Sequence, residues 1–313
     1  MQSIDLFDGH CDTISRSYET GEGFWENSGH VSLNQTRKFE RYAQFFAVFG
    51  DTDKIHTTPW EHFQREYAVF QQELEQNADT LTFCRTGNEA ACANRGGKAA
   101  AFLSVEGAEF LNCDLSKLET GYQLGVRAVN LTWNHANALS GSIADEPTRG
   151  LTERGKTFVA RMEALGMLVD VSHLSEPGFW DVAAMMKKPF FASHSNARAV
   201  FPAQRNLTDA QFTAIIEHRG VAGLNMFHDF LGKTPDMDCI IAHLEHFLAL
   251  GGEKNVSVGG DWDGIPTPPS GIAGVWDMDR LYERLLQKNY HEALVRDVFY
   301  ENLMRVVNEV CTM

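Results

Sequence analysis

The stretch Ile4-Asp5-Leu6-Phe7-Asp8-Gly9-His10-Cys11-Asp12 decides how the rest of the chain is read. Its apolar run, Ile4–Phe7, has the composition of a strand and gives way to a polar cluster, Asp8–Asp12, that holds a histidine between two carboxylates. His10 and Asp12 are two residues apart, so an extended backbone puts both side chains on one face. The same grammar recurs along the chain. Ala43–Phe49, Ala100–Val105, Val126–Leu131, Met167–Val171, Phe190–Ser193, Val221–Asn225 and Val256–Gly259 are further short apolar or β-branched runs. Several show no polar alternation, as expected of strands covered on both faces. Helical patterns fill the intervals, and eight such alternations predict an α/β fold, a (β/α)8 TIM-type barrel.

The helices carry readable ends. Thr152 is placed to cap a helix that presents Phe158, Val159, Met162 and Leu165 at helical spacing and stops at Gly166. A second is expected from Asp236 to Leu250, with Gly251-Gly252 ending it. His243 and His246 sit on that helix three residues apart, which is not the HExxH zinc spacing. The stretches around Leu281 and from His291 to Val310 read as helices that close the barrel. No repeat or Pro/Ser linker interrupts the chain, so a single domain over 1–313 is expected. Ser15–Phe39, polar and glycine-containing, reads as an insertion over the barrel mouth.

Composition excludes several classes of function. At 43% hydrophobic and 22% charged residues the 313-residue chain is an ordinary globular one. A formal net charge of −15 argues against nucleic acid, which needs a basic face. Six scattered cysteines without a CxxC pair suggest reduced thiols. No apolar run approaches the roughly 18 residues that span a bilayer, and the N-terminus lacks the pattern of a signal peptide. A cytoplasmic location with no membrane partner is therefore expected.

The chemistry lies where the strands end. Catalytic groups of a (β/α)8 barrel sit at the C-terminal ends of its strands. Here those positions carry His10 and Asp12, Glu106, His173, His194, and Asp261 with Asp263. Any one of these residues alone is more simply a structural residue; their joint occurrence at five strand ends points to a metal site. Mixed nitrogen and oxygen donors suit Zn²⁺, with Mn²⁺ or Co²⁺ as substitutes. One carboxylate can bridge two ions roughly 3.5–4 Å apart, and water held by such a pair ionises near pH 7.

Asp-Gly-His-Cys-Asp (8–12), Val-Glu-Gly (105–107), Leu-Val-Asp-Val-Ser-His (168–173), Ser-His-Ser-Asn-Ala (193–197), Arg-Asn-Leu-Thr-Asp (205–209) and Gly-Gly-Asp-Trp-Asp-Gly (259–264) together resemble the membrane (renal) dipeptidase family, among the amidohydrolase-like barrels. The resemblance covers nearly the whole chain. It implies a dipeptide substrate, with L-Xaa-D-Xaa dipeptides plausible, and two divalent metal ions, zinc foremost. His10, Asp12 and Glu106 would hold one ion, and Glu106, His173 and His194 the other. Asp261 would be the general base and then acid, and Arg205 would bind the substrate's terminal carboxylate. A homodimer is suggested by the resemblance alone.

One departure stands out. The family carries a substrate-contacting histidine after its fourth strand, and ungapped alignment of Leu-Thr-Trp-Asn-His-Ala-Asn (131–137) puts Trp133 there. His135, two residues on, would face the same way in an extended segment and is the substrate-site candidate; a bulge would turn it elsewhere. Asp263 reads as a turn former before Gly264. Two other readings stand beside the dipeptidase: another amidohydrolase acting on N-acyl-D-amino acids or lactams, and a catalytically silent barrel that binds a small ligand.

Overall fold

Period-two alternation settles which side chains fill the barrel and which face its helices. The computed structural model describes residues 3–312. Its strands are β1 (Leu6–Cys11), β2 (Tyr42–Val48), β3 (Leu81–Phe83), β4 (Ala99–Glu106), β5 (Val126–Asn130), β6 (Leu168–Asp170), β7 (Phe191–Ala192), β8 (Val221–Leu224) and β9 (Val256–Val258). All pairings between them are parallel, and the order β1-β2-β4-β5-β6-β7-β8-β9 closes on itself through β1 and β9. This is the expected eight-stranded barrel, with helices between strands. In β4, Ala100 and Phe102 belong to the interior cluster while Ala101, Leu103 and Val105 pack outward. Glu106 is in phase with the interior set, so the end of β4 delivers it into the mouth.

Phe7, Phe45 and Phe102 stack inside the barrel, with ring centroids 5.1–5.7 Å apart. Tyr300, Val306, Val307 and Val310 join the same cluster, so the last helix, Asn302–Val310, plugs the end of the barrel opposite the mouth. A wide π-helical turn at Asp297–Glu301 links it to the helix Glu292–Arg296.

Both capped helices form as read. Thr152 Oγ1 accepts from Gly155 N at 3.0 Å at the start of Glu153–Leu165, and Gly166 ends it at φ 75°. Asp236 accepts from the amides of Asp238 and Cys239 at the head of Met237–Ala249. His243 is a satisfied core histidine there. Its Nδ1 accepts from Ala197 N at 3.1 Å, and its Nε2 lies 3.2 Å from Leu231 O.

The sequence reading places eight strands and the structure has a ninth. β3 is three residues long and pairs only with Ala99–Ala101, the part of β4 that lies below the start of β5. Too short to show periodicity, it lies outside the barrel ring. The segment between β1 and β2 holds short helices Thr13–Thr20 and Leu33–Thr36 and buries Phe24, Val31 and Leu33.

Candidate metal centre and active site

Six residues from five strand ends meet at the mouth. Glu106 stands between two groups, and its two oxygens divide them. Oε2 lies 3.4 Å from His10 Nε2, which is itself 3.6 Å from Asp12 Oδ1. Oε1 lies 3.0 Å from His173 Nε2 and 3.6 Å from His194 Nε2. The nitrogens of His173 and His194 face each other across 3.0 Å. His10, Asp12 and Asp261 form a further cluster whose donor atoms lie within 4.8 Å of one another. All of these side chains are buried or nearly so, Asp261 being only partly exposed.

The far nitrogens of two imidazoles have partners. His194 Nδ1 meets Ser193 Oγ at 2.6 Å, and His173 Nδ1 meets Asn134 Oδ1 at 3.0 Å. Such partners fix the ring orientation and leave Nε2 directed inward. Asp261 is oriented by Asn225, whose Nδ2 donates to Oδ2 at 2.9 Å.

Deeper carboxylates brace the strand ends. Asp8 accepts from His10 N, Gly260 N, Gln44 Nε2 and Trp262 Nε1, which ties β1 to β2 and to the end of β9. Asp170 Oδ1 accepts from Ser172 N and Ser193 N and so ties β6 to β7. Asp8, Asp170, Ser193 and Asn225 brace the candidate site residues and were left unassigned by the sequence reading. Three of the four lie within three residues of a candidate ligand, which was the available signal. Gly9 permits a close crossing here, since a Cβ on it would stand 2.8 Å from Ser193 O.

Three residues of this rim carry backbone strain. His173, Asp261 and Asp263 have φ of 67°, 60° and 65°, in the left-handed region that side chains rarely adopt. Asp263 is a turn residue as read, but it also does more. Thr13 Oγ1 donates to its Oδ2 at 2.7 Å and His30 N to its Oδ1 at 2.6 Å. It thereby fastens the segment between β1 and β2 to the mouth.

The electrostatics of the cluster suit added positive charge. Burial pushes the Glu106 carboxyl up to about 8, against the pull of His10 and with the push of Asp12. Burial likewise raises Asp261. Burial opposes charge on His10, yet the Glu106 and Asp12 carboxylates outweigh it and hold the imidazole's pKa well above its ordinary value. His173 and His194 are driven the other way, by burial first and then by Arg205 and His10. They are neutral lone-pair donors. His10 Nε2 and Asp12 Oδ1 are buried without a hydrogen-bond partner among the described residues. Facing neutral imidazoles, crowded carboxylates and orphaned donors fit divalent cations.

The remaining two sequence candidates lie apart from each other. Arg205 follows β7 and points Nη1 at Ser195 Oγ and Nη2 at His194 O, both at 3.3 Å, while its buried Nε has no partner among the described residues. His135 is at the rim. Its Nε2 is 3.4 Å from Asp51 and 3.7 Å from Asp53, and its ring packs on Trp133, which in turn approaches the His173 ring at 6.3 Å. Trp133 therefore separates His135 from the His173 imidazole.

A family model described as membrane dipeptidase (Peptidase family M19) matches residues 1–313. The chain belongs to the membrane dipeptidase family. This membership makes it a metal-dependent dipeptidase, and the barrel and its clustered donors agree. A metallo peptidase from Rhodobacter sphaeroides, solved with a phosphinate mimic of the dipeptide L-Ala-D-Ala, is 29% identical; the match covers 99% of this dipeptidase and 100% of that chain, with a TM-score of 0.89. Another solved metallo peptidase of the family, dipeptidase AC, is 29% identical with full coverage of both chains and a TM-score of 0.91. An uncharacterized protein in the pqqA 5′ region of Klebsiella pneumoniae is 31% identical over 265 residues, 80% of this dipeptidase and 97% of the relative. Despite the family's name, among the described residues no helix is long and apolar enough to cross a membrane.

Proposed function

We propose that this dipeptidase cleaves L-Xaa-D-Xaa dipeptides and that two divalent cations, zinc by the character of the donors, would be held by His10, Asp12 and Glu106 on one side and by Glu106, His173 and His194 on the other. The division of the Glu106 oxygens between the His10–Asp12 side and the His173–His194 side carries this reading. When bound, the cations supply Lewis acidity to the attacking water and the scissile carbonyl. Asp261 takes a proton from the attacking water and returns it to the leaving amine. Asn225 occupies Asp261 Oδ2, which leaves Oδ1 to carry that proton. Arg205 receives the substrate's terminal carboxylate, and its buried Nε, without a partner among the described residues, is a donor suited to an anion. His135 acts from the rim, held by Asp51 and Asp53. The L-D preference rests on likeness to the Rhodobacter sphaeroides relative, whose ligand mimics L-Ala-D-Ala.

The test is hydrolysis of a panel of L-L and L-D dipeptides by zinc-loaded protein, with N-acetylated members as controls and metal content measured on the same preparation. Two metal ions per chain and cleavage confined to substrates with a free α-amino group are expected. No hydrolysis of any dipeptide would overturn the proposal, and cleavage of the acetylated members would reassign it to deacylation.

A further inference from the structure

A cleft of ≈ 400 Å³ opens beside the metal centre, and no step of the mechanism above uses it. Phe49 and Trp133 form its inner wall, edge to face with ring centroids 4.9 Å apart, and Tyr18 and Ile55 extend the lining. Trp133 links the cleft to the catalytic rim through its 6.3 Å approach to the His173 ring.

The position of the cleft in the barrel is informative. Arg205 follows β7, and Phe49 follows β2, which stands four strands away in the closed order and so directly across the mouth. A dipeptide with its carboxylate at Arg205 and its amide at Glu106 extends its N-terminal residue toward β2. That is where the cleft lies.

The wall is also built at some cost. Glu66 is 1% exposed, and its hydrogen bonds serve the Phe49 peptide. Oε2 accepts from Phe49 N at 3.0 Å and from Ser15 Oγ at 3.0 Å, and Oε1 lies 3.0 Å from His62 Nε2. His62 Nε2 and Ser15 Oγ both reach back to Phe49 O, at 3.0 and 3.1 Å. Burying a carboxylate is expensive unless its partners are complete. Here it accepts from the Phe49 N–H and holds His62 and Ser15 against the Phe49 C=O, so both backbone groups of Phe49 are fixed. At the rim, Asp51 is paired with Lys54 at 2.9 Å and Arg65 with the Tyr18 hydroxyl at 3.5 Å, and Glu19, His56 and Thr57 complete a polar edge around the apolar surface that Tyr18, Phe49, Ile55 and Trp133 present.

We infer that this cleft receives the side chain of the substrate's N-terminal residue and selects dipeptides whose first residue is large and apolar or aromatic. The inference rests on the orientation set by Arg205 and Glu106 above. Glu66 is then a positioning residue for specificity, acting through Phe49.

The experiment compares kcat/KM for Gly-D-Ala, Ala-D-Ala and Phe-D-Ala on the zinc-loaded protein. Burial of one phenyl ring predicts a Phe-to-Gly ratio of at least about tenfold. Ile55→Trp fills the cleft and should lower that ratio at least about tenfold, while Ile55→Ala widens it and should move the preference toward Trp-D-Ala. Thermal melting checks that each variant folds, and the widened variant carries the test if the filled one does not. A wild-type ratio near one, or a ratio unchanged in the variants, overturns the cleft assignment alone. Absence of hydrolysis across the series overturns the reading beneath it.

Discussion

Replacing Asp261 by Asn separates proton transfer from metal binding more cleanly than any other single change. The side chain keeps its shape, and the amide oxygen can still accept from Asn225 Nδ2, which now lies 2.9 Å from Oδ2. What disappears is one buried negative charge whose proton affinity is raised by burial and by Asp12. Removing it relieves repulsion, so the fold should lose no more than about 1 kcal/mol and could gain a little. His10, Asp12, Glu106, His173 and His194 remain, so metal content should stay at two ions per chain. Loss of a positioned general base and acid typically costs about 10²–10⁴ in rate, or ~2.7–5.4 kcal/mol of transition-state stabilisation. The assay is kcat/KM on an L-D dipeptide, with elemental analysis and melting temperature on the same sample. Wild-type turnover in the variant would refute the proton-transfer role. Loss of one metal ion would make Asp261 a ligand, a role its proximity to His10 and Asp12 permits geometrically.

Three further outcomes follow from the surrounding structure. Ser193→Ala frees His194 Nδ1 and should weaken metal affinity about 10–100-fold with little change in the metal-loaded fold, as measured by titration against a competing chelator. Asp263→Ala removes the acceptor for Thr13 Oγ1 and His30 N and should cost about 2–4 kcal/mol while exposing the 21–36 segment to limited proteolysis; unchanged cleavage kinetics would show that the clamp is not needed. Burial pulls the pKa of His243 down to about 4, so the unfolded chain, with an ordinary histidine, binds that proton first. Its contribution is therefore complete above pH ~6.5 and is lost as pH falls toward 4, by up to ~3 kcal/mol; denaturant titrations across that window should show the slope, and His243→Gln should flatten it.

The barrel was legible in the sequence because its signal is local. Short apolar runs between capped helices can be read one at a time, and the Thr152 and Asp236 caps formed where those residues stand. Donor positions were legible for a related reason: a strand end is a sequence-local feature, and period-two alternation carries Glu106 inward. β3 was not legible, because three residues show no period and its place depends on how much of β4 is left free by β5.

What the sequence determined by itself was therefore the architecture, the family resemblance and the set of donors at the strand ends. The resemblance implied how those donors divide, but only the tertiary structure decided which Glu106 oxygen meets which imidazole, because that depends on strands far apart in the chain closing into a ring. The same holds for Asp263. A local reading makes it a turn residue, and only the folded segment between β1 and β2 brings Thr13 and His30 to its carboxylate. The place of His135 was undecidable in sequence for the same reason: extended spacing permits it to face the candidate metal centre, but packing of Trp133 against Phe49 and toward His173 leaves His135 at the rim with Asp51 and Asp53. Pattern along a chain specifies which groups are present at the mouth, and distances between segments far apart in sequence, set by packing alone, specify what each can touch.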